Sequence, residues 1–324
     1  MLDKRTLLVS GIGKRNSLLK LLRDECRVLG IRLVGCDAAA WAPARLDVPH
    51  FSQLPLARDS GFKVAYLNTL ARSSAGAYLT LIDPEIVSLG EIEGEADALY
   101  LHPAASTAAI CEDKYHFFET MRANGIATIP TSLTPLNQTP FIRKDRTGSA
   151  ASGFKVYSET TDTETVRQNA RDPRYIYQPF CSGRHYCIDA YFSIRDARLI
   201  DLCVKEVLAK ANGESYLLRS VPRDRFIGML DAVATVLPMR GIVNFDIYDE
   251  DGELKIMEVN CRIGGNYPAS HAFGVNLLRP MLTEVCGRHL PSDGVRANYA
   301  ADQVIAKYIG FSVPSQMLEF GSKC

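Results

Sequence analysis

This 324-residue chain lacks long apolar runs, a net charge and any pair of cysteines at metal-binding spacing. No apolar stretch reaches the ~20 residues of a membrane-spanning helix, so we expect no membrane partner. Its 37 basic residues balance 37 acidic ones, which gives no reason to expect a nucleic-acid partner. Nine cysteines without a Cys-x-x-Cys pair indicate reduced thiols. The start runs directly into a strand-like segment, so we expect no signal peptide and a cytoplasmic protein.

The length and composition predict a globular protein of two or three domains. The first hundred residues alternate between strand and helix patterns. Leu7 to Ser10 is predicted as a strand, Asn16 to Leu29 as an amphipathic helix and Ile31 to Asp37 as a second strand. This order favours an open parallel sheet with right-handed connections. The pattern changes near residues 105–110, so we predict a Rossmann-like domain over residues 1–107.

The turn after the first strand is an incomplete dinucleotide motif. Gly11 and Gly13 match the first two glycines of Gly-x-Gly-x-x-Gly, but Asn16 stands in place of the third. Asp37 ends the second strand at the place where a ribose-binding acid could lie. A tight turn between the strand and the helix is the preferred explanation of the glycines, and a nicotinamide-dependent oxidoreductase stays open as an alternative.

A second pattern predicts a metal–phosphate site on a β-hairpin. Side chains alternate between the faces of a strand, so Glu258, Asn260 and Arg262 share one face. Asn244 and Asp246 repeat the alternation upstream, and residues 249–252 form the turn. Hard oxygen ligands suit Mg²⁺ and a guanidinium suits phosphate. The plainer interpretation is the solvated face of an edge strand.

A third segment has the character of a phosphate-binding hairpin. The strand Pro140 to Lys144 carries two cations and leads into a loop rich in glycine and serine that ends at Gly153. Backbone N–H groups of such a loop can close over phosphate oxygens, and Lys144 supplies a point charge. An ordinary exposed hairpin is the alternative. Upstream, Cys111 to Gly125 is predicted as one helix, with Lys114 in an early turn.

Taken in order, these segments resemble the ATP-grasp superfamily, most closely its carbamoyl-phosphate-synthase-like branch, over roughly residues 5 to 285. The resemblance implies a chain of the α/β and α+β classes. A Rossmann-like open parallel sheet would precede a two-lobed ATP-grasp fold, with a small lobe at residues 108–179 and a large lobe at residues 180–324.

The resemblance also implies the site residues and cofactors. The nucleotide would contact Lys114, Lys144, Ser149, Gly153, Gln178, Phe180, His185 and Asn244. The metal would be held by Asp246, Glu258 and Asn260, and the candidate catalytic residues are Lys144 and Arg262. The cofactors would be ATP and Mg²⁺, with Mn²⁺ as an alternative metal. His185 stands where the family often has a ribose-binding acid, which leaves ribose recognition open.

The activity implied by the resemblance is that of an ATP-dependent carboxylate–amine ligase. A substrate carboxylate would become an acyl phosphate, which an amine would attack, releasing ADP and phosphate. Carboxylation or carbamoyl chemistry, and non-catalytic nucleotide binding, remain alternatives. The small-molecule carboxylate and amine cannot be named, because pockets vary on a shared scaffold.

Two further predictions concern the C-terminal half. Lys205 and Arg219 flank a presumed loop, Lys210 to Tyr216, and are interpreted as solvated surface charges. The tail from Asp302 onward is predicted to end as a strand or docking segment, and a homodimer contact through it stays open.

Overall fold

The computed structural model describes residues 5–148, 153–160, 164, 166, 172–211, 213–291, 296–308, 310 and 311. Across these residues we find no helix with the length and apolar character that a bilayer crossing requires. Three sheets organise the chain: a parallel one, a small antiparallel one and a large antiparallel one. The fold class expected from the sequence is confirmed, whereas the exact domain boundaries stay predictions.

The N-terminal sheet has five parallel strands in the order β3-β2-β1-β4-β5. The strands are, in chain order, β1 Thr6–Ser10, β2 Arg32–Asp37, β3 His50–Gln53, β4 Ala77–Thr80 and β5 Leu99–Tyr100. Their connections contain the helices α1 Asn16–Leu29, α2 Phe62–Ser73 and α3 Asp83–Glu91. The strand order reverses between β1 and β4, so a crevice opens at the carboxyl ends of these two strands.

Helix α1 begins and ends at the predicted residues. Leu18, Leu19 and Leu22 form its buried side, and Gly30 closes it in the left-handed conformation at φ 68°. Leu18 and Leu19 share one hydrophobic cluster with Tyr191 and Met281, which lie in the C-terminal half of the chain. The N-terminal domain is therefore packed directly against the large sheet.

The helix predicted over residues 111–125 is present, but its predicted start is wrong. The structure contains two helices, α4 Ala105–Glu112 and α5 Lys114–Ala123. Asp113 separates them because its carboxylate accepts hydrogen bonds from the backbone N–H groups of Tyr115 and His116, both at 3.1 Å. This is an N-cap, a role for which aspartate is well suited. The break places Lys114 at the first position of α5.

The small sheet consists of β6 Phe141–Asp145, β7 Lys155–Tyr157 and β8 Tyr175–Pro179, in the order β7-β6-β8. The predicted hairpin is present, since β6 pairs antiparallel with β7. Phe141 and Tyr157 stack at 4.7 Å between ring centroids and form the centre of a small core. The sequence of residues 162–169 predicts a helix, and this segment lies outside the described residues apart from Glu164 and Val166.

The large sheet is antiparallel and has the order β13-β12-β9-β10-β11-β14. Its strands are β9 Arg184–Phe192, β10 Leu199–Ala211, β11 Glu214–Val221, β12 Gly241–Glu250, β13 Glu253–Asn260 and β14 Val304–Ala306. Helix α6 Asp224–Val236 packs on one face, and α7 Tyr267–Ala272 with α8 Leu278–Val285 on the other. The described part of the tail contains the strand β14, which pairs with β11, and the residues after Phe311 lie outside the described part of the chain.

The loop predicted over residues 210–216 is wrong in the part that the structure describes. Strands β10 and β11 stay paired up to Ala211 and Glu214, so this segment is the tip of a long hairpin. The chain thereby gains ladder hydrogen bonds that a free loop would lack.

His102 links the N-terminal sheet to the end of β13. Its ring Nε2 accepts from the backbone N–H of Thr80 at 2.9 Å, and its Nδ1 lies 2.8 Å from the carbonyl oxygen of Cys261. Because Nε2 is an acceptor, the proton of the neutral ring is on Nδ1 and is donated to that carbonyl. His102 is 1% exposed, and burial lowers its pKa from 6.5 to about 4.

Because the pKa of His102 is lowered, we expect the protein to lose stability in mild acid. Between pH 6.5 and about 4, His102 is protonated in the unfolded chain and neutral in the folded chain. The free energy of unfolding therefore falls as the pH falls through this range. The contribution reaches on the order of 3 kcal/mol at the acid end. His102→Gln keeps one donor and one acceptor, and we expect a flatter urea-midpoint profile between pH 7 and 5. The exposed His50→Gln is the control and should keep the wild-type slope. A wild-type slope in His102→Gln would contradict the assignment.

Candidate functional site

The hairpin of β12 and β13 brings the predicted metal residues together. Asp246 lies directly opposite Glu258, and Asn244 lies opposite Asn260. Residues opposite each other on paired strands project from the same face. Asp251 and Gly252 form the turn, both with positive φ, at 54° and 90°, the conformation typical of two-residue hairpin turns.

A bulge interrupts this hairpin next to the carboxylates. Asp246 pairs with Glu258, whereas the next residue, Ile247, pairs with Ile256, so Met257 is the extra residue. A bulge bends the strand and changes the direction of the side chains around it. The buried residues of β13 are therefore Ile256 and Val259, three apart, while Glu258 and Asn260 remain partly exposed on the site face.

Two lysines reach this face from outside the large sheet. Lys144 of β6 is 6% exposed, and its Nζ lies 3.5 Å from Glu258 Oε2. Lys114, at the start of α5, donates to the carbonyl oxygen of Gly148 at 2.6 Å. Burial lowers the pKa of Lys114, the charge of Glu258 opposes this, and the charge of Lys144 lowers it further. Ammonium groups in these positions are point charges that can contact phosphate oxygens.

His185 contacts the other carboxylate. Its Nε2 donates to Asp246 Oδ1 at 2.8 Å, and its ring stacks on Tyr248 at 4.8 Å. Burial raises the pKa of Asp246, but the hydrogen bond and charge of His185, with the charges of two lysines, outweigh burial and lower it. An open cleft of about 840 Å³ lies beside His185 and Tyr248. Its size is within the range of small-molecule sites.

A buried polar network supports the site face from below. Lys205 and Asp189 are both 0% exposed and form an ion pair. Ser270 hydrogen-bonds to both of them, and the Asn244 amide donates to Asp189 Oδ1 at 3.0 Å. The interpretation of Lys205 as a solvated surface charge is wrong, because β10 is covered on this face. Alternation along β10 did not indicate this burial, because a lysine in an alternating strand is equally compatible with an exposed face.

Arg262 lies where the large sheet meets the N-terminal domain. Its Nη2 is 2.7 Å from Asp83 Oδ2, at the start of α3. Its Nε is buried and has no hydrogen-bond partner in the part of the chain that the structure describes. Asp83 is not among the predicted site residues, because the sequence Asp83-Pro84-Glu85 indicates only the end of a strand. A group that faces Arg262 could use the free Nε–H as a donor.

Comparison with known protein families identifies the fold. An ATP-grasp domain model matches residues 111–266, and a PylC-like N-terminal domain model matches residues 7–102. Residues 111–266 therefore form an ATP-grasp domain, the domain of ATP-dependent ligases. The resemblance inferred from the order of the motifs is therefore confirmed.

Solved structures share this ATP-grasp architecture at low sequence identity. The biotin carboxylase domain dimer of Hydrogenobacter thermophilus 2-oxoglutarate carboxylase, in complex with MgADP, ADP and bicarbonate, has a TM-score of 0.72 at 14% identity, covering 88% of this chain and 70% of its own. N5-carboxyaminoimidazole synthetase from Staphylococcus aureus, complexed with ADP, has a TM-score of 0.71 at 14% identity, with coverages of 89% and 78%. L-amino acid ligase from Bacillus licheniformis has a TM-score of 0.66 at 17% identity, with coverages of 87% and 74%. No curated protein sequence matches the chain significantly.

The oxygen ligands of this ATP-grasp chain fit Mg²⁺ that arrives with a nucleotide. Among the described residues, no group of three or more His, Cys, Asp and Glu side chains could hold a metal by itself. Asp246, Glu258 and Asn260 provide two carboxylates and one amide oxygen on a common face. Mg²⁺ is usually held by one or two carboxylates, with phosphate oxygens and waters completing its shell. The donor set is therefore suited to a metal shared with bound phosphates.

Three other residues that were predicted to bind the nucleotide lie on or next to the strands of the small sheet. Gln178 is buried in β8, and its amide donates to Thr131 Oγ1 at 2.8 Å. Phe180 is 45% exposed just after that strand. Gly153 adopts a positive φ of 66° where the loop rejoins β7, and a Cβ there would collide with Asp145. Ser149 lies outside the described residues, so its predicted role stays a prediction.

Proposed function

We propose that the chain is an ATP-dependent carboxylate–amine ligase that works through an acyl phosphate. The observation that carries the proposal is the pairing of Asp246 with Glu258 on one face, with Lys144 and Arg262 at the same face. Two carboxylates, two cations and an amide provide both the metal ligands and the phosphate contacts of a phosphoryl-transfer site.

The position of each side chain suggests which part of Mg·ATP it would contact. Lys144 and Lys114 would hold the nucleotide phosphates, since both ammonium groups lie close to Glu258. Asp246, Glu258 and Asn260 would hold Mg²⁺, which when bound supplies charge neutralisation to the phosphate oxygens. Arg262 would contact the transferring phosphoryl group with its unpartnered Nε–H. The 840 Å³ cleft next to His185 offers room for the rest of a nucleotide.

The reaction proceeds by two displacements. A substrate carboxylate oxygen forms a bond to the γ-phosphorus of ATP while the bond from that phosphorus to the bridging oxygen breaks, and ADP leaves. An amine nitrogen then bonds to the acyl carbon, loses a proton, and phosphate leaves. The residues described here contribute positioning and charge neutralisation, as in other phosphoryl transfers.

A carboxylation reaction is the second candidate, because two of the structural neighbours are named as a carboxylase domain and a carboxyaminoimidazole synthetase. In that case bicarbonate would take the place of the organic carboxylate. The first phosphoryl-transfer step would be unchanged, so the same site residues would serve both reactions.

The proposal is tested by ADP release from Mg·ATP. Amino acids are offered singly and in pairs, and bicarbonate is offered with each amine. We expect release that requires one carboxylate and one amine, and that disappears in Lys144→Met. Lys155→Met, an exposed lysine on the neighbouring strand β7, is the matched control and should keep the wild-type rate. Release that is unaffected by Lys144→Met would contradict the proposal, and release that requires bicarbonate would favour the carboxylation alternative.

A further inference from the structure

The N-terminal sheet opens a crevice beside Arg262. The strand order reverses between β1 and β4, and ligands of open parallel sheets bind outside the carboxyl ends of the strands at such a point. The turn after β1 contributes Arg15, and the turn after β4 contributes Asp83. Asp83 holds Arg262 at 2.7 Å, so the crevice adjoins the proposed phosphoryl-transfer site.

Arg15 lies against the Gly264-Gly265 turn of the large sheet. A Cβ at Gly265 would be 2.9 Å from Arg15 Nη1, so the absence of a side chain at Gly265 makes room for this guanidinium. The backbone of Gly265 has no positive φ that would by itself require glycine. With the guanidinium in this position, a side chain at residue 265 would force Arg15 to move.

Arg15 differs from the other charged groups around it. Asp83, Glu214 and Asp189 are the carboxylates whose charges act on Arg15. Each of them has a cation of its own in direct contact, namely Arg262 for Asp83, Lys307 for Glu214 and Lys205 for Asp189. No hydrogen bond or ion pair joins the Arg15 guanidinium to any of the residues that the structure describes.

The neighbouring cation makes this arrangement unfavourable without an anion. Burial lowers the pKa of Arg15, and the positive charge of Arg262 lowers it further. The like charges of Arg15 and Arg262 repel each other, and the Nε–H of Arg262 is buried without a hydrogen-bond partner among the described residues. A carboxylate matches the planar fork of a guanidinium in two parallel hydrogen bonds.

We propose that Arg15, beside Arg262, forms a subsite for a carboxylate group of the substrate, across the boundary between the N-terminal domain and the large sheet. This inference rests on the proposed function, since it supplies the substrate of that same site. The position next to Arg262 places the bound carboxylate within the region where phosphoryl transfer would occur. A small carboxylate is therefore the class of compound that the crevice takes.

The test measures binding rather than turnover. Wild type, Arg15→Met, Arg15→Lys and Arg27→Met are loaded with Mg·ADP and titrated by calorimetry with acetate, bicarbonate and single amino acids into the millimolar range. Arg27 is the control because it is exposed on α1, the helix that begins directly after Arg15. We expect Arg15→Met to weaken carboxylate affinity by about tenfold or more. Arg15→Lys should weaken it less, because it keeps the charge without the fork. Arg27→Met should not change it.

The possible outcomes distinguish failure of the subsite from failure of the proposed function. Equal carboxylate affinity in wild type and Arg15→Met, or no carboxylate binding to the loaded wild type, would overturn the subsite. Unchanged Mg·ADP affinity in every variant shows that the variants are folded and that the nucleotide site is intact. Failure of the wild type to bind Mg·ADP would instead contradict the proposed function itself. The primary amide of a carboxylate that binds should bind wild type and Arg15→Met equally weakly, because it lacks the charge.

Discussion

Exchange of Glu258 for glutamine is expected to slow ADP release by about a hundredfold to a thousandfold while the protein stays folded. The carboxylate lies opposite Asp246 and 3.5 Å from Lys144 Nζ, so its charge contributes to both the proposed metal site and the lysine. Glutamine keeps the size of the side chain and removes only the charge. The measurement is the ADP release rate at saturating Mg·ATP, with the urea midpoint as a check of folding.

The matched control lies on the same strand. Glu253 begins β13, its side chain is 62% exposed, and it pairs at the surface with Lys255. Glu253→Gln should keep the wild-type rate, because an exposed ion pair contributes little. A wild-type rate in Glu258→Gln would remove this residue from the proposed site. An equal loss of the ADP release rate in both variants would show that the substitutions disturb strand β13 and that the charge of Glu258 has no specific role.

Lys205→Met is expected to lower the free energy of unfolding by about 3–5 kcal/mol, the largest loss of stability that we predict. Asp189 and Lys205 are both fully buried, so the substitution leaves the Asp189 carboxylate without its cation. The neighbouring Ser270 and Asn244 provide hydrogen bonds but no charge. The measurement is the urea midpoint at neutral pH.

Two further variants distinguish the effect of an unpaired buried charge from the effect of losing a lysine side chain. Lys307→Met removes the same side chain from an exposed pair with Glu214 and should change stability by less than about 1 kcal/mol. The double variant Asp189→Leu with Lys205→Met removes both charges, and we expect it to recover part of the stability. Lys205→Met as stable as Lys307→Met would contradict the assignment of a buried pair.

Local patterns were enough to predict much of this fold. The periodicity of Asn16–Leu29 gave both ends of α1, because apolar spacing and a following glycine are properties of the segment itself. Alternation likewise gave the face shared by Glu258 and Asn260. The break at Asp113 could have been found from the same kind of information, since aspartate favours N-caps, but a continuous apolar pattern concealed it.

Other features depend on which strands become neighbours. The bulge at Met257 is defined by pairing with β12, and no property of Met257 indicates it. Lys205 is buried because β10 lies between β9 and β11 and is covered on the face toward Ser270. An alternating strand with a lysine is equally compatible with an exposed face, so the sequence could not distinguish the two.

The sequence by itself determined that a βαβ domain precedes a hairpin carrying carboxylates, an amide and an arginine, because these patterns are local. Only the tertiary structure decided what faces that hairpin. Asp83 and Arg262 are 179 residues apart in the chain and in contact in the fold. Arg15 reaches Gly265 in the same way. Packing of the N-terminal domain against the large sheet, through α1 and α8, brings these charges together, and such long-range contacts leave no periodic trace in the sequence.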